Sequence, residues 1–318
     1  MSEPGFVMRA SPHLPIGLRL DHYRIESVLG VGGSGVTYRA FDLQRQRAVA
    51  IKEYFPKLWA ARADSGNVEV ANPRYETEFR WGLDRFIAEA ETLARFRHEG
   101  IVKVERVFGA MGTALMQLEY IVGPNLELWA AQSRARPAQA ELDAFAEALL
   151  AALAVIHRAG VLHRDIAPRN ILLDRQGLPV VIDFGSARQD IVAMSAAPTL
   201  LVTPHYAGQE QYIASGAQQG PWTDIYSAAA VLWFLVAGSP PPAAPARAVD
   251  AARLRLRSMG GMDRYRPAFL QAIEWGLEFL PRDRPQAIPA WQVHLLGHAG
   301  TGPRDGLRHG LRKPEGVR

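Results

Sequence analysis

The sequence contains no cysteine. That absence excludes a disulfide framework, a thiolate metal site and a cysteine nucleophile, and it suits a reducing, cytoplasmic setting. Lysine is nearly as scarce: among 36 basic residues, only Lys52, Lys57, Lys103 and Lys313 are lysine, and the rest are arginine. A coding bias produces such a skew, and it makes each remaining lysine informative. Long apolar runs are missing too. The longest, Ile225 to Ala237, has 13 residues broken by Ser227, short of the roughly 20 that a membrane-spanning helix needs. The first 20 residues hold three prolines and no continuous apolar core of the signal-peptide kind. Basic residues are interspersed with 32 acidic ones and form no stripe with interleaved aromatics, so no nucleic-acid partner is expected. What is present is 48% hydrophobic content over 318 residues, enough for one large domain or two modest ones.

Residues 1–20 lack periodicity and read as a disordered lead-in. Three short segments rich in β-branched and aromatic residues follow, at 22–29, 36–43 and 47–55, separated by a glycine-rich turn and by the polar stretch Gln44 to Arg47. Residues 57–75 read as a loop or small excursion. Phe79, Leu83, Phe86, Ile87, Ala90, Leu93 and Ala94 recur at helical spacing. Two more strand-like runs surround Met111-Gly112. After Gly123-Pro124-Asn125 the character turns helical: Leu142, Phe145, Leu149, Leu150, Leu153 and Ile156 share one face, and 223–237 is apolar nearly all round, as in a buried helix. Residues 239–248 are proline-rich and read as a surface loop. The expected fold is α+β, a β-rich N-terminal lobe with one long helix and a mainly helical C-terminal lobe, with a cleft near residues 119–125. The basic stretch 298–318 reads as a flexible tail.

Four segments carry chemistry. Gly30-x-Gly32-x-x-Gly35 leads into a strand rather than a helix. It therefore fits a glycine hairpin laid over nucleotide phosphates, and not the dinucleotide or Walker devices. Lys52 ends the apolar strand Val49-Ala50-Ile51; its compact ammonium suits a phosphate contact if a carboxylate holds it. Glu89 and Glu91 both flank the apolar face of the next helix, and periodicity does not choose between them. His163-Arg164-Asp165 with Asn170, and Asp183-Phe184-Gly185, each lie at the edge of an apolar strand. Two carboxylates and a carboxamide so placed can supply a proton acceptor and oxygen ligands for a hard cation.

In this order the motifs resemble those of a bacterial, eukaryotic-type (Hanks-type) Ser/Thr protein kinase. The resemblance spans residues 21–297 and extends to Trp222-Thr223-Asp224 and Asp283-Arg284-Pro285. Lys52-Glu53-Tyr54-Phe55-Pro56 and Trp81-Gly82-Leu83-x-Arg85-Phe86 resemble a subgroup with an extended segment before the first long helix. The resemblance implies a bilobal kinase-like fold, N-lobe about 21–121 and C-lobe about 126–297. It also implies ATP with Mg2+ or Mn2+ as cofactors and a protein substrate with a Ser/Thr acceptor. Registering Glu89 with Leu93 and His98 on the family pattern selects Glu89 as partner of Lys52. Asp165 would take the acceptor proton, and Asn170 and Asp183 would hold the metal. Leu29, Gly30, Gly32, Gly33, Ser34, Gly35 and Thr37 would cover the nucleotide. Adenine would sit between Ala50 and Leu172, with Leu118 as gatekeeper and the Glu119 and Ile121 backbone as its polar edge. Leu93, His163 and Phe184 match the column of packed side chains that links the lobes, and Glu210 would pair with Arg284.

Some positions depart from the pattern. Thr37 replaces a valine. Ala167 stands where Ser/Thr kinases carry a γ-phosphate lysine, and Arg169 is the expected substitute for that charge. Gly208-Gln209 replaces Ala-Pro. With Ala167 it raises the alternative of a nucleotide-binding scaffold without transfer. Thr203 favours Ser/Thr over Tyr acceptors. Arg164 before Asp165 is the arrangement of kinases controlled by activation-segment phosphorylation, with Ser195 and Thr199 as candidate sites and Thr203 a lesser one.

Overall fold

The structure is a computed structural model that describes residues 12–133, 135–184, 202–213, 219–249, 255–297 and 310–312. The chain divides into two compact units, one of residues 1–95 and 103–120, the other of 96–102 and 121–318.

The first unit is built on one antiparallel sheet, in the order β1-β2-β3-β4-β8-β7. Its strands are β1 (Arg19–Leu20), β2 (Tyr23–Val31), β3 (Gly35–Asp42), β4 (Arg47–Tyr54), β7 (Val104–Ala110) and β8 (Thr113–Glu119). A separate hairpin, β5 (Ala60–Arg62) and β6 (Val68–Val70), occupies the stretch read as an excursion. Helix α1 (Glu76–Leu93) follows and buries Phe79, Phe86, Ala90 and Leu93, the face its 3.6-residue period marks.

Residues 12–20, expected within a disordered lead-in, are instead tied to this unit. Leu14 is fully buried and its N–H donates to Tyr38 Oη at 3.0 Å. The Pro12 carbonyl accepts from Arg62 Nη2 at 2.9 Å. A single plug held by polar anchors leaves no periodic signature, which is why the pattern did not reveal it.

The second unit is mainly helical: α2 (Leu126–Gln132), α3 (Gln139–Arg158), α4 (Pro221–Ala237), α5 (Ala244–Val249), α6 (Pro267–Gly276) and α7 (Ile288–Leu296), with the short hairpin β9 (Ile171–Leu173) and β10 (Pro179–Val181). All six residues of the predicted α3 face are at most 1% exposed. Helix α4 is buried nearly all round, consistent with its largely apolar sequence, and stops at Gly238 in the left-handed conformation (φ 76°). Among the described residues no helix is long and apolar enough to cross a membrane.

Three further differences from expectation stand out. Residues 96–102 belong with the helical unit, because Val102 N–H donates to Val181 O and Val181 N–H to Gly100 O. The proline-rich stretch read as a loop contains α5, and Ala244 is fully buried. Within the tail read as flexible, Gly310–Arg312 are docked, and Leu311 is 2% exposed.

Candidate active site

The glycine turn joins β2 to β3, and Gly32 N–H donates to Gly35 O at 2.8 Å. Gly35 is required by the chain itself: a Cβ there would collide with the Glu53 carbonyl. No such demand exists at Gly30 or Gly33, where a Cβ would meet nothing within 4 Å, or at Gly32, where it would meet only Gly35 O at 3.6 Å. None of the three has a positive φ. The fold of the turn therefore does not itself require a glycine at these three positions. Leu29 is exposed, whereas the Ser34 carbonyl is used inward, accepting from Phe55 N–H.

Cross-strand register gathers the next residues. Thr37 lies opposite Lys52, Ala50 opposite Leu118, and Lys52 opposite Met116. Opposed and i, i+2 positions share one sheet face, so Thr37, Ala50, Lys52 and Leu118 line a common surface. Glu89 is buried on α1 with Oε1 3.9 Å from Lys52 Nζ, while Glu91 is exposed. Glu53, on the opposite face of β4, is fully buried and held by Arg62 (Nη2–Oε2 2.7 Å) and by the Tyr38 hydroxyl (2.7 Å). Glu119 ends β8 and donates its N–H to Lys103 O.

In the second unit, Arg164 (φ 65°) and Asp183 (φ 62°) are non-glycine residues held in the left-handed region. Such conformations cost about 1–3 kcal/mol each and persist only where surroundings impose them. Asp224 supplies part of that imposition: its carboxylate accepts from His163 N–H (2.9 Å), Arg164 N–H (2.7 Å) and His157 Nε2 (2.8 Å). Burial pushes the Asp224 carboxyl up, but the His157 hydrogen bond and nearby charges outweigh it and hold the group below its usual value. Gln211 Nε2 donates to Arg164 O. Sequence reasoning passed over His157 and Gln211. The position of His157 in the last turn of α3, just before the loop, was the one available signal for it.

These holds aim Asp165, which is 8% exposed. Its carboxylate accepts from Asn170 Nδ2 at 2.8 Å, from Arg169 Nη2 at 3.2 and 3.3 Å, and from the Thr203 hydroxyl, to which Arg169 Nη2 also donates. Asp183 lies close by along the backbone, since Ile182 N–H donates to Asn170 O at 2.9 Å. His163 Nδ1 accepts from Asp165 N–H, and its Nε2 donates to Ile182 O, which defines a neutral Nε2–H imidazole. Burial lowers the His163 pKa accordingly. Phe184 stacks on Phe96 and packs against His163 with ring centroids 4.4 Å apart, while Leu93 is buried on α1. Leu172 and Ile121 are both half-buried, and Leu172 forms a β-bridge with Asn125. Glu210 and Arg284 form a buried two-pronged pair at 2.7 and 3.1 Å. Ser195, Thr199 and Gly185 lie outside the described residues.

Residues 23–288 match the family described as "Protein kinase domain". A probable serine/threonine-protein kinase of Streptomyces coelicolor is 31% identical over 69% of this chain and 30% of its own length. The DNA damage-responsive serine/threonine-protein kinase RqkA of Deinococcus radiodurans is 32% identical over 72% of this chain and 32% of its own. The chain thus spans about a third of the length of these two curated relatives. Among solved structures, the apo form of PpkA-294 superposes with a TM-score of 0.81 at 38% identity, covering 90% of this chain and 100% of that one. The shared profile covers the glycine turn, the Lys52–Glu89 pair and the loop around Asp165, and with it the chain belongs to the protein kinase family, on the side of the bacterial Hanks-type Ser/Thr kinases.

Proposed function

We propose that the chain is an ATP-dependent protein kinase acting on serine and threonine hydroxyls of protein substrates, itself included. In the transfer, the acceptor oxygen bonds to the γ-phosphorus and the bond to the β,γ-bridging oxygen breaks. ADP leaves, and the hydroxyl proton passes to Asp165. The observation that carries this reading is the setting of Asp165, a carboxylate fixed in direction by Asn170, Arg169 and Thr203 rather than left to rotate.

The donor set suits the cofactors. Asn170 commits Nδ2 to Asp165, so Oδ1 is the atom that would take a metal. One carboxamide and one carboxylate oxygen, from Asn170 and Asp183, fit Mg2+ or Mn2+, which take their remaining ligands from phosphate and water. Lys52, steadied by Glu89, would neutralise the α- and β-phosphates, and the bare glycine turn would cover them. By the family resemblance, Ala50 and Leu172 would be the apolar contacts for adenine, Leu118 the gatekeeper, and the Glu119 and Ile121 backbone its polar edge. Arg169 stands in for the lysine absent at Ala167, because its guanidinium reaches both Asp165 and Thr203. Thr203 on Asp165 supports Ser/Thr acceptors over Tyr.

Radiolabel transfer from ATP to a generic protein substrate tests the reading. Wild type is expected to transfer at roughly 1–100 s⁻¹, and Asp165→Asn to lose roughly 100- to 10,000-fold while still binding MgATP. Nucleotide binding without transfer in the wild type would establish the scaffold instead.

A further inference from the structure

The docked piece of the tail is a built contact. Gly310 and Leu311 donate their N–H groups to the consecutive carbonyls of Gln176 and Gly177, each at 3.0 Å, in the turn between β9 and β10. Trp129 on α2, itself 5% exposed, donates its indole N–H to Arg312 O at 2.8 Å. The Arg312 guanidinium reaches Glu141, whose other oxygen caps the start of α3 by accepting from Ala138 N–H at 2.7 Å. The fit is interlocked. Gly177 has φ 79°, a Cβ on it would strike the Leu311 backbone, and a Cβ on Gly310 would strike Gly177 in return. Two glycines from distant parts of the chain are each explained by the other.

The clipped hairpin has its other end in the nucleotide region. Leu173 N–H donates to Pro124 O at 2.9 Å, a Cβ on Gly123 would collide with Leu173 O, and Asn125 both bridges Leu172 and caps α2 by accepting from Leu128 N–H. Strand β10 runs directly into Asp183. The β9–β10 hairpin is therefore pinned at two ends: by residues 123–125, and by the tail through α2 and the turn.

We propose that Gly310-Leu311-Arg312 is a C-terminal clip, with Leu311 as its positioning residue, that joins Trp129 to the β9–β10 turn and so fixes Leu172 and Asp183 for MgATP. This rests on the kinase reading above. The sequence holds a second copy of the tripeptide, Gly306-Leu307-Arg308, which provides a register control.

The test uses the full chain with Leu311→Asp, the milder Trp129→Phe and the control Leu307→Asp. Calorimetric Kd for MgATP, KM for ATP, kcat, thermal midpoint and hydrogen exchange of residues 171–181 are measured on each. Trp129→Phe removes one buried hydrogen bond, and Leu311→Asp, which keeps its backbone N–H, dislodges the segment by placing a charge at a buried position; a roughly fivefold rise in Kd and KM for ATP is expected. Exchange in the hairpin should quicken and kcat stay nearly constant, while Leu307→Asp behaves as wild type. A lowered thermal midpoint with unchanged Kd and KM in both clip variants would reduce the segment to a staple and overturn the proposal. So would an equal effect of Leu307→Asp, because the register would be wrong. A wild-type chain that binds no MgATP would overturn the kinase reading itself, an outcome distinct from variants that bind as well as wild type.

Discussion

At the scale of single residues, Arg169 is proposed to substitute for the lysine absent at Ala167. Ala167 is 1% exposed, so its side chain has turned into the protein, whereas Arg169 is 39% exposed at its side chain and sits four residues beyond Asp165 in the 3-10 turn Pro168–Asn170. One nitrogen of its planar fork serves both oxygens of Asp165 and the Thr203 hydroxyl. Removing a donor aimed at developing charge costs roughly 100-fold or more in kcat, and Arg169→Ala is expected to show a loss of that order with little change in KM for ATP. Arg169→Lys keeps the charge but not the fork and should fall between. Steady-state kinetics decide, and an unchanged kcat in Arg169→Ala would remove Arg169 from the mechanism. At this scale the sequence was most legible where chemistry leaves fixed spacings, at Lys52, Asp165, Asn170 and Asp183. It was least legible where a residue works through its neighbours. Periodicity left Glu89 and Glu91 equivalent; the family register favours Glu89, and its burial on α1 and its approach to Lys52 separate it from the exposed Glu91.

Between elements, the segments Lys52–Pro56 and Trp81–Phe86 turn out to be two halves of one contact. Tyr54 at the end of β4 lies over α1, donating its hydroxyl to Phe79 O at 3.1 Å and packing on Phe79 and Phe86. Gly82, one turn further on, is bare because a Cβ there would collide with that hydroxyl. In an exposed helix, Gly→Ala stabilises by about 1 kcal/mol. Here Gly82→Ala is expected to destabilise by about 1–3 kcal/mol through overpacking and to loosen the α1 register that presents Glu89 to Lys52. Chemical denaturation of Gly82→Ala alone, and combined with Tyr54→Phe, checks this, since removing the hydroxyl should recover part of the loss. A simple gain from Gly82→Ala would contradict the packing account. The long helices were readable because a repeating face marks them, and α3 matches its predicted face throughout. The β5–β6 hairpin and α5 were not readable. One is three residues per strand, and the other begins amid prolines, which suit a first helical turn as well as a loop.

For the molecule as a whole, the loop that presents Asp165 makes stability depend on pH. His163 is buried against Phe184, neutral, and used at both nitrogens. Burial lowers its pKa from the ordinary 6.5, against the opposing pull of Asp224, Asp165 and Asp183. Half-buried His98 is lowered in the same direction by its own burial. Below pH 6.5 the unfolded chain therefore binds protons that the folded chain refuses, so stability must fall as pH drops, by up to about 1.4 kcal/mol per unit for each group. Asp224 adds a second, lower window. Its folded pKa lies below the ordinary 3.8, so its contribution is complete above that value and is lost as pH falls through the folded one. Urea unfolding between pH 7.5 and 5 should show a decline that begins near 6.5. His163→Phe, though less stable at every pH because Asp165 N–H loses its acceptor, should show a shallower slope across that range, with the His98 part remaining. An identical slope in wild type and variant would mean that His163 takes up its proton in the folded state, and the neutral imidazole assigned from its two hydrogen bonds would be wrong.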